Sequence, residues 1–226
     1  MRMRRKKWAV PELTAAPFYI RNPEEQTGHW RALYARAEQP LMVELGCGKG
    51  GFISRLALQN PQFNFLAVDL IDDMLGLTKR AVEQAYREAE REIDNVLLAQ
   101  QDIERITRIL GERDQVERVY INFCNPWPKA GHKKRRLTHP KQLRLYRQFL
   151  VPGGQIYFKT DDRDLFEDSL RYLDETGFVV EYLTRDLHAS GYQGNIETEH
   201  ERMFSAEGVP IKFLIATMGG PPKAEG

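Results

Sequence analysis

The chain contains little cysteine and no long apolar segment. Only two of its 226 residues are cysteine, so a disulfide scaffold is not expected. A run of 18 apolar residues, the length of a membrane span, is missing, and no cleavable leader is recognisable. These features argue against secretion and membrane insertion, and we expect a cytoplasmic protein. A chain of this length buries about 70% of its unfolded surface, so it needs no metal for stability, and no metal site is predicted.

The formal net charge of +1 conceals two basic clusters that contain no acidic residue. Without their 13 members, 20 of the 33 basic residues remain against 32 acidic ones, so the rest of the chain is strongly negative. Such segregation is typical of a surface that binds a polyanion, although a solvated arm and loop would give the same pattern. The clusters are Arg2, Arg4, Arg5, Lys6 and Lys7, and Lys129, Lys133, Lys134, Arg135, Arg136, Lys141, Arg144 and Arg147.

Short apolar runs alternate with longer helical patterns along the chain. This order predicts an α/β fold with a doubly wound, mostly parallel sheet. We expect one domain at residues 9–218, a basic flexible arm at 1–8 and a flexible tail at 219–226. A helix is predicted from Asn22 to about Ala37. The predicted strands are 41–45, 63–69, 96–99, 116–123, 155–160, 178–183 and 211–218, and the other predicted helices lie near 51–59, 71–92, 102–110, 139–150 and 162–176.

A glycine-rich turn follows the first predicted strand. Gly46, Gly48 and Gly51 satisfy the G-x-G-x-x-G pattern of dinucleotide-binding proteins, and Asp69 ends the next strand. Glu44, however, would repel a pyrophosphate and attract an ammonium group. S-adenosylmethionine carries an ammonium and no phosphate, so the turn favours this methyl donor over a dinucleotide. The alternative is a tight structural turn with incidental acids.

Two more acids complete the predicted donor site. Asp69 would accept hydrogen bonds from the ribose hydroxyls of the donor, and Asp102, just past the third strand, would accept one from its adenine amine. Gly46 and Gly48 would allow close approach of the backbone to the ligand.

The loop after the fourth predicted strand contains two prolines that flank a tryptophan. These prolines stiffen the segment and hold Asn125, Trp127 and Lys129 in fixed directions. A core position for Trp127 is the alternative. Downstream, Lys133, Lys134, Arg135 and Arg136 are predicted to contact RNA phosphates. The pattern favours a base pocket beside a phosphate track.

Four segments together resemble the bacterial tRNA (guanine-N7)-methyltransferase family. They are Glu44-Leu-Gly-Cys-Gly-Lys-Gly, Asn-Pro-Trp-Pro-Lys129 with the following His-Lys-Lys-Arg-Arg-Leu137, Phe-Lys-Thr-Asp161 and Thr198-Glu-His-Glu201. The resemblance covers residues 40–217. It implies a Rossmann-like class I methyltransferase fold with an antiparallel last strand, S-adenosylmethionine as donor, S-adenosylhomocysteine as product, and guanosine 46 of the tRNA variable loop as acceptor.

The resemblance also assigns residues to the site. Glu44, Asp69, Asp102 and Asn125 fall at donor-site positions. The positions assigned to the RNA substrate are Lys129, Asp161, Thr198, Glu199, His200 and Glu201.

Asn125 departs from the family, which usually has Asp at this position. Guanine N7 has a free lone pair and no proton, so its attack on a methyl group requires no general base. Asn125 is therefore predicted to position the reactants, and a neutral amide would stabilise the positive charge that develops on guanine less well than a carboxylate.

Recognition of guanine requires acceptors for N1–H and the exocyclic amine. Asp161, Glu199 and Glu201 are the candidates. The segment 186–205 has two glycines and few apolar residues, so it is interpreted as a lid that closes Thr198 and Glu201 over an inserted base. Ordered packing without a lid role is the alternative.

Three other functions stay open at this point. A noncatalytic RNA-binding protein could keep the fold, and Asn125 favours that reading. A dehydrogenase would explain the glycine pattern. Asn125-Pro126-Trp127 also resembles the Asn-Pro-Pro-aromatic motif of enzymes that methylate exocyclic or amide nitrogens. The sequence does not choose between a monomer and a homodimer.

Overall fold

The computed structural model describes residues 5–222, which form an eight-stranded sheet and six α-helices. The strands are β1 (Tyr19–Ile20), β2 (Leu41–Leu45), β3 (Asn64–Asp69), β4 (Val96–Gln100), β5 (Val116–Asn122), β6 (Leu150–Thr160), β7 (Phe178–Thr184) and β8 (Lys212–Met218). The α-helices are α1 (Ala9–Ala15), α2 (Gly51–Gln59), α3 (Asp72–Glu88), α4 (Pro140–Tyr146), α5 (Arg163–Glu175) and α6 (Glu199–Ala206).

The strand order is β1-β4-β3-β2-β5-β6-β8-β7. Only β8 runs against its neighbours, since it pairs antiparallel with both β6 and β7 while the other pairs are parallel. The prediction of a mostly parallel sheet with an antiparallel last strand is confirmed.

The strand order reverses between β2 and β5, because the chain moves outward from β2 to β4 and then returns to the other side of β2. Ligands of doubly wound proteins bind in the crevice at the carboxyl ends of the strands beside such a reversal. Helices α2 and α3 pack on each other, as do α4 and α5, and the right-handed crossover rule puts the two pairs on opposite faces of the sheet. Every residue of β2 and β3 is buried, as expected for central strands covered on both faces.

The predicted helix at Asn22–Ala37 is wrong. Two short 3₁₀ turns, Pro23–Gln26 and Trp30–Leu33, occupy this segment. Gly28 between them has φ +81°, which no α-helix accommodates. The carboxylate of Asp114 accepts hydrogen bonds from the backbone N–H groups of Gly28 (2.9 Å) and Trp30 (3.3 Å). A tertiary contact therefore replaces the helical pairing that the local pattern favoured.

Both ends of the described chain pack on the domain. The Lys6 backbone N–H lies 3.0 Å from each carboxylate oxygen of Asp73, and the Arg80 guanidinium lies 3.4 Å from the ring centroid of Trp8. At the other end, the Gly219 N–H donates to the Gly177 carbonyl (2.9 Å). The predicted arm and tail thus contain packed segments, and their remaining parts, residues 1–4 and 223–226, lie outside the described residues. Within residues 5–222, none of the helices has the length and apolarity to cross a bilayer.

Candidate active site

The glycine turn connects β2 to α2 through three residues with left-handed backbone. Gly46, Gly48 and Gly50 have φ of +81°, +57° and +82°, values that residues with a Cβ adopt at a cost. A Cβ on Gly46 or Gly48 would meet nothing within 4 Å, whereas a Cβ on Gly50 would lie 2.6 Å from the Thr78 Cα. Gly50 therefore permits α2 to pack on α3, while Gly46 and Gly48 leave open space above the turn.

Asp69, at the end of β3, holds this turn in place. Its Oδ2 accepts a hydrogen bond from the Gly48 N–H (2.9 Å) and its Oδ1 accepts one from the Ile71 N–H (3.0 Å). Burial raises the pKa of Asp69, and these backbone bonds lower it in part. An ionised carboxylate can accept about four hydrogen bonds, so Asp69 keeps capacity for a ligand hydroxyl.

Glu44 lies within β2 and only 2% of its surface is exposed. Its Oε1 accepts a hydrogen bond from Asn122 Nδ2 on neighbouring β5 (3.1 Å). Its Oε2 is buried and has no hydrogen-bond partner anywhere in residues 5–222. Burial raises the pKa of Glu44 from 4.5 to about 8, and the negative charge of Asp69 adds to this effect. A buried oxygen without a donor is costly, and a cationic N–H group would relieve that cost.

Sequence reasoning missed Asn122, although a signal was present. Asn122 is a polar residue at the carboxyl end of a predicted buried strand, and the strand lies at the reversal of the sheet. Its partner Glu44 is 78 residues away in the chain, so no local motif joins them.

All of the predicted donor residues except Asp102 lie around two adjoining cavities. One, of about 180 Å³, is lined by Glu44, Gly46 and Gly48 together with Thr198, Glu199 and His200. The second, of about 320 Å³, is lined by Gly46, Asp69, Asn122, Asn125 and Trp127 among others. The structure therefore brings together the glycine turn, the loop at Pro126-Trp127-Pro128 (the Pro-Trp-Pro loop) and the Thr198–Glu201 segment.

Asp102 lines neither of these cavities. It precedes the 3₁₀ helix Ile103–Arg108, and its Oδ1 accepts a hydrogen bond from the Glu104 N–H (3.0 Å). In this arrangement the side chain caps a helix.

The Pro-Trp-Pro loop is held by Asn125, whose Oδ1 accepts a hydrogen bond from the Trp127 N–H (3.0 Å). Trp127 has φ +42°, and its ring contacts two basic residues. The His132 ring meets it edge-on at 5.7 Å, and the Arg135 guanidinium lies 5.2 Å from the ring centroid. Trp127 therefore lies at the mouth of the site beside His132 and Arg135, not in the core. Lys129 is exposed beside it.

The basic stretch divides into exposed and internal residues. Lys134 and Arg135 are exposed on the 3₁₀ helix Ala130–Arg135, and Lys133 is partly buried and ion-paired with Asp168 (2.7 Å). Arg136 is 1% exposed. It donates to Asp168 Oδ2 and to the Pro126 carbonyl, both at 2.6 Å. Arg136 was predicted to contact a phosphate, but the structure places its guanidinium inside the fold, where it bonds to Asp168 and Pro126.

Asp168 anchors this loop to α5. Although burial raises its pKa, hydrogen bonds from Lys133, Arg136 and Arg171 lower it to about 2. The carboxylate is therefore ionised at neutral pH, and it fixes the base of the Pro-Trp-Pro loop through Arg136.

The segment Thr198–Glu201 begins α6 with a capping box. Thr198 Oγ1 accepts from the Glu201 N–H (3.0 Å), and Glu201 Oε2 accepts from the Thr198 N–H (3.2 Å). Glu201 is fully buried and also pairs with Lys159 (3.0 Å). Glu201 was predicted as a candidate to read the guanine edge, but the structure places both of its carboxylate oxygens in hydrogen bonds within the fold.

The other predicted substrate residues are accessible. Glu199 is exposed and pairs with Lys49 of the glycine turn (3.1 Å). His200 is exposed, and its ring stacks on Phe123 at 5.9 Å. Asp161 is partly buried at the end of β6, where its carbonyl accepts from Lys212 Nζ (2.8 Å). The predicted lid region ends in the helix α6, which covers the glycine turn.

A third cavity, of about 340 Å³, adjoins the site through Phe52 and Asn122. Pairs of polar and aromatic residues of β5 and β6 lie opposite one another beside this cavity, and all of these residues except Gln155 line it. None of them was predicted as a site residue. The pairs are Arg118 with Gln155, Tyr120 with Tyr157, and Asn122 with Lys159.

Comparison with known proteins identifies the family. Residues 38–214 match the family described as "Putative methyltransferase". A tRNA (guanine-N(7)-)-methyltransferase of Clostridium perfringens is 55% identical over 96% of this chain and 99% of that protein. The protein of the same description from Acetivibrio thermocellus is 54% identical over 96% of this chain and 99% of its own length.

Solved structures share the fold at low sequence identity. The 16S rRNA methyltransferase KamB is 15% identical, covers 96% of each chain and gives a TM-score of 0.58. A single-residue mutant of a 16S rRNA (adenine(1408)-N(1))-methyltransferase from Catenulisporales acidiphilia, solved with its cosubstrate SAM, is 17% identical over 89% of this chain and 93% of that chain, with a TM-score of 0.57. These likenesses establish a class I methyltransferase fold.

These matches decide against a dehydrogenase, since the family model and the relatives that match nearly the whole chain are described as methyltransferases. The chain therefore belongs to the tRNA (guanine-N7)-methyltransferase family.

Proposed function

We propose that this enzyme transfers a methyl group from S-adenosylmethionine to N7 of guanosine 46 in the variable loop of tRNA. The observation that carries the proposal is the buried, unpartnered Oε2 of Glu44 beside a glycine turn with open space above it. The relatives are described as acting on guanine N7 in tRNA, and the basic surface beside the site supports an RNA substrate.

The residues of the crevice fit S-adenosylmethionine. The ammonium of the donor would satisfy Glu44 Oε2, and Asp69 would accept hydrogen bonds from the ribose. A dinucleotide fits poorly because its pyrophosphate would lie at the glycine turn beside the acidic side chain of Glu44. When bound, S-adenosylmethionine supplies an electrophilic methyl group.

The chain's own residues act by orientation. Guanine N7 needs no deprotonation, so the site requires no general base. Alignment of the nucleophile with the methyl group contributes several kcal/mol, on the order of 5, to lowering the barrier. Asn125 stabilises the loop that borders the reacting groups through its bond to the Trp127 N–H. Its neutral amide offsets the positive charge that develops on guanine less than a carboxylate would.

Guanine selection is assigned to Asp161 and Glu199. Glu199 lies beside the glycine turn and Asp161 at the end of β6, and both are at least partly exposed. A carboxylate there would accept the two N–H donors of the Watson–Crick edge and leave N7 free on the opposite edge. Thr198 and Glu201 then act indirectly, by holding Glu199 and His200 at the start of α6.

Binding of the tRNA backbone phosphates is assigned to the exposed cations around Trp127. Lys129, Lys134 and Arg135 lie on the surface next to the site, and Lys133 lies partly exposed behind them. Trp127 offers an aromatic face for an unstacked base. A cytoplasmic enzyme fits such a substrate, and the residues assigned to the site all come from one copy of the chain.

Incubation with labelled S-adenosylmethionine and unmodified tRNA tests the proposal. The expected product is 7-methylguanosine, mapped to position 46 by nuclease digestion, and a tRNA with adenosine at that position should receive no label. Asp161→Ala is expected to weaken tRNA use more than binding of S-adenosylhomocysteine. Label in another nucleoside, or at another guanosine, would refute the assignment.

A further inference from the structure

Lys159 is a buried lysine that joins the sheet to the α6 segment. It is 5% exposed. Its Nζ donates to Asn195 Oδ1 (2.6 Å), the Ile196 carbonyl (2.9 Å) and Glu201 Oε2 (3.0 Å). An ammonium has three donors, so its hydrogen-bonding capacity is filled by one seven-residue segment.

The acceptor Glu201 is equally engaged. Its Oε1 accepts from Asn195 Nδ2 (2.6 Å) and lies 3.2 Å from His188 Nε2, while its Oε2 caps α6 at the Thr198 N–H. Removing Lys159 would leave this carboxylate buried without its main counter-ion. Lys159 therefore supplies the buried counter-ion at the start of α6, while Arg55 and Lys49 contact the same segment at Glu197 and Glu199 nearer the surface.

Lys159 also lies next to the donor crevice. Its register partner on β5 is Asn122, and Asn122 donates to Glu44. The contacts Glu44–Asn122 and Lys159–Glu201 thus lie side by side at the carboxyl edge of the sheet. Glu199 and His200, which line the donor cavity, follow the capped residue Thr198 directly.

We propose that Lys159 is a positioning residue for the RNA substrate: it latches residues 195–201 onto β6 so that Glu199 and His200 face the donor crevice. It acts through Glu201 and touches neither donor nor acceptor. The expected effect on the use of tRNA rests on the proposed function. The expected effect on the position of residues 195–201 rests only on the contacts described above.

The test uses the full chain and four variants. K159M removes the latch, K159R keeps the charge with a different donor geometry, and K159M/E201Q removes the unpaired charge so that folding is preserved. K79M is the matched control, because Lys79 is a largely buried lysine that pairs with Glu83 (2.8 Å) outside the site. Amide hydrogen exchange, S-adenosylhomocysteine affinity by calorimetry, and kcat and KM for tRNA are measured for each.

In K159M and in K159M/E201Q, we expect exchange at residues 195–206 to rise about tenfold and the KM for tRNA to rise about tenfold or more. Binding of S-adenosylhomocysteine should stay within about twofold of wild type. K159R should recover part of the KM, and K79M should change none of these quantities.

Two results would overturn the proposal. Loss of S-adenosylhomocysteine affinity in proportion to the rise in KM would make Lys159 a donor-site residue. A lowered melting temperature with unchanged KM and unchanged exchange at 195–206 would make it a stability residue only. If wild type methylates no tRNA, the proposed function fails, while the exchange experiment still decides whether Lys159 holds the segment.

Discussion

The side chain of Glu44 opposes stability and favours ligand binding at the same time. Its folded pKa of about 8 lies above its ordinary 4.5. Between these values the folded protein keeps a proton that the unfolded chain has released, so stability falls as the pH rises through this window. The cost is fully present above about pH 8, where the buried carboxylate is ionised without a ligand.

Glu44→Gln removes this cost and the attraction for the donor. Above pH 8 the variant should be more stable than wild type by about 2 to 4 kcal/mol, and the difference should shrink toward pH 5. Its affinity for S-adenosylhomocysteine, which keeps the ammonium, should fall about 10- to 100-fold. Urea unfolding and calorimetry at pH 5 and pH 8.5 measure both effects. Equal affinities would show that the ammonium binds elsewhere.

Asn125→Asp restores the residue that the family usually has. The carboxylate can still accept the Trp127 N–H, so the loop should keep its shape. We expect kcat to rise by up to about tenfold because the charge stabilises the methylated guanine, with no new dependence on pH between 6 and 9. Single-turnover rates over this range test it. A steep rise with pH would instead indicate general-base catalysis.

At the scale of elements, the predicted strands were located well because each is a short, mainly apolar segment bounded by turn or helical patterns. The short elements α1, β1 and α6 were missed. β1 has only two residues, and the capping box of α6 precedes few apolar residues. The 3₁₀ turns at 23–33 depend on the distant carboxylate of Asp114, which no local pattern reveals.

The site was predictable only in part, for the same reason. Glu44 and the glycines were found because one turn carries them in sequence. Asn122 and Lys159 act through partners 78 and 42 residues away. The run of cations around Arg136 gave no sign of which side chain turns inward.

Two glycines of the same turn should respond differently to alanine. At Gly50 the added Cβ would overlap Thr78, and the alanine would also have to adopt the backbone φ of +82°. We therefore expect a loss of about 2 to 4 kcal/mol in unfolding free energy. At Gly48 the Cβ meets open space, so the loss should be near 1 kcal/mol, about the backbone strain alone. Urea unfolding distinguishes them.

The Gly48→Ala methyl group would project into space that we assign to the donor. The affinity of the Gly48→Ala variant for S-adenosylhomocysteine should therefore fall by more than its loss of about 1 kcal/mol in unfolding free energy would explain. Unchanged affinity would place the ligand away from the turn.

At the scale of the whole molecule, charge is separated between an acidic body and a basic surface around Trp127. Binding of a polyanion to such a surface releases counterions, and the affinity falls with salt. The buried Arg136 should not contribute, because its charge is neutralised by Asp168.

Neutralising Lys134 and Arg135 together should lower the slope of log affinity for tRNA against log salt by about 1 to 2, near one unit per lost phosphate contact. Arg36→Gln is the control, since Arg36 is a half-exposed cation paired with Asp94 away from the site. Arg136→Gln should leave the slope unchanged and reduce stability. Filter binding at several salt concentrations measures the slopes. An unchanged slope in the double variant would exclude these residues from the RNA interface.

The antiparallel strand β8 affects how the enzyme folds while it is being synthesised. It is inserted between β6 and β7, although the chain makes it after both. During synthesis β7 therefore has no strand partner, and β6, which carries Lys159, has an open edge until β8 has been made. Until β8 is in place, the unpaired edge of β6 can pair with another chain, so incomplete copies of the protein are prone to aggregate.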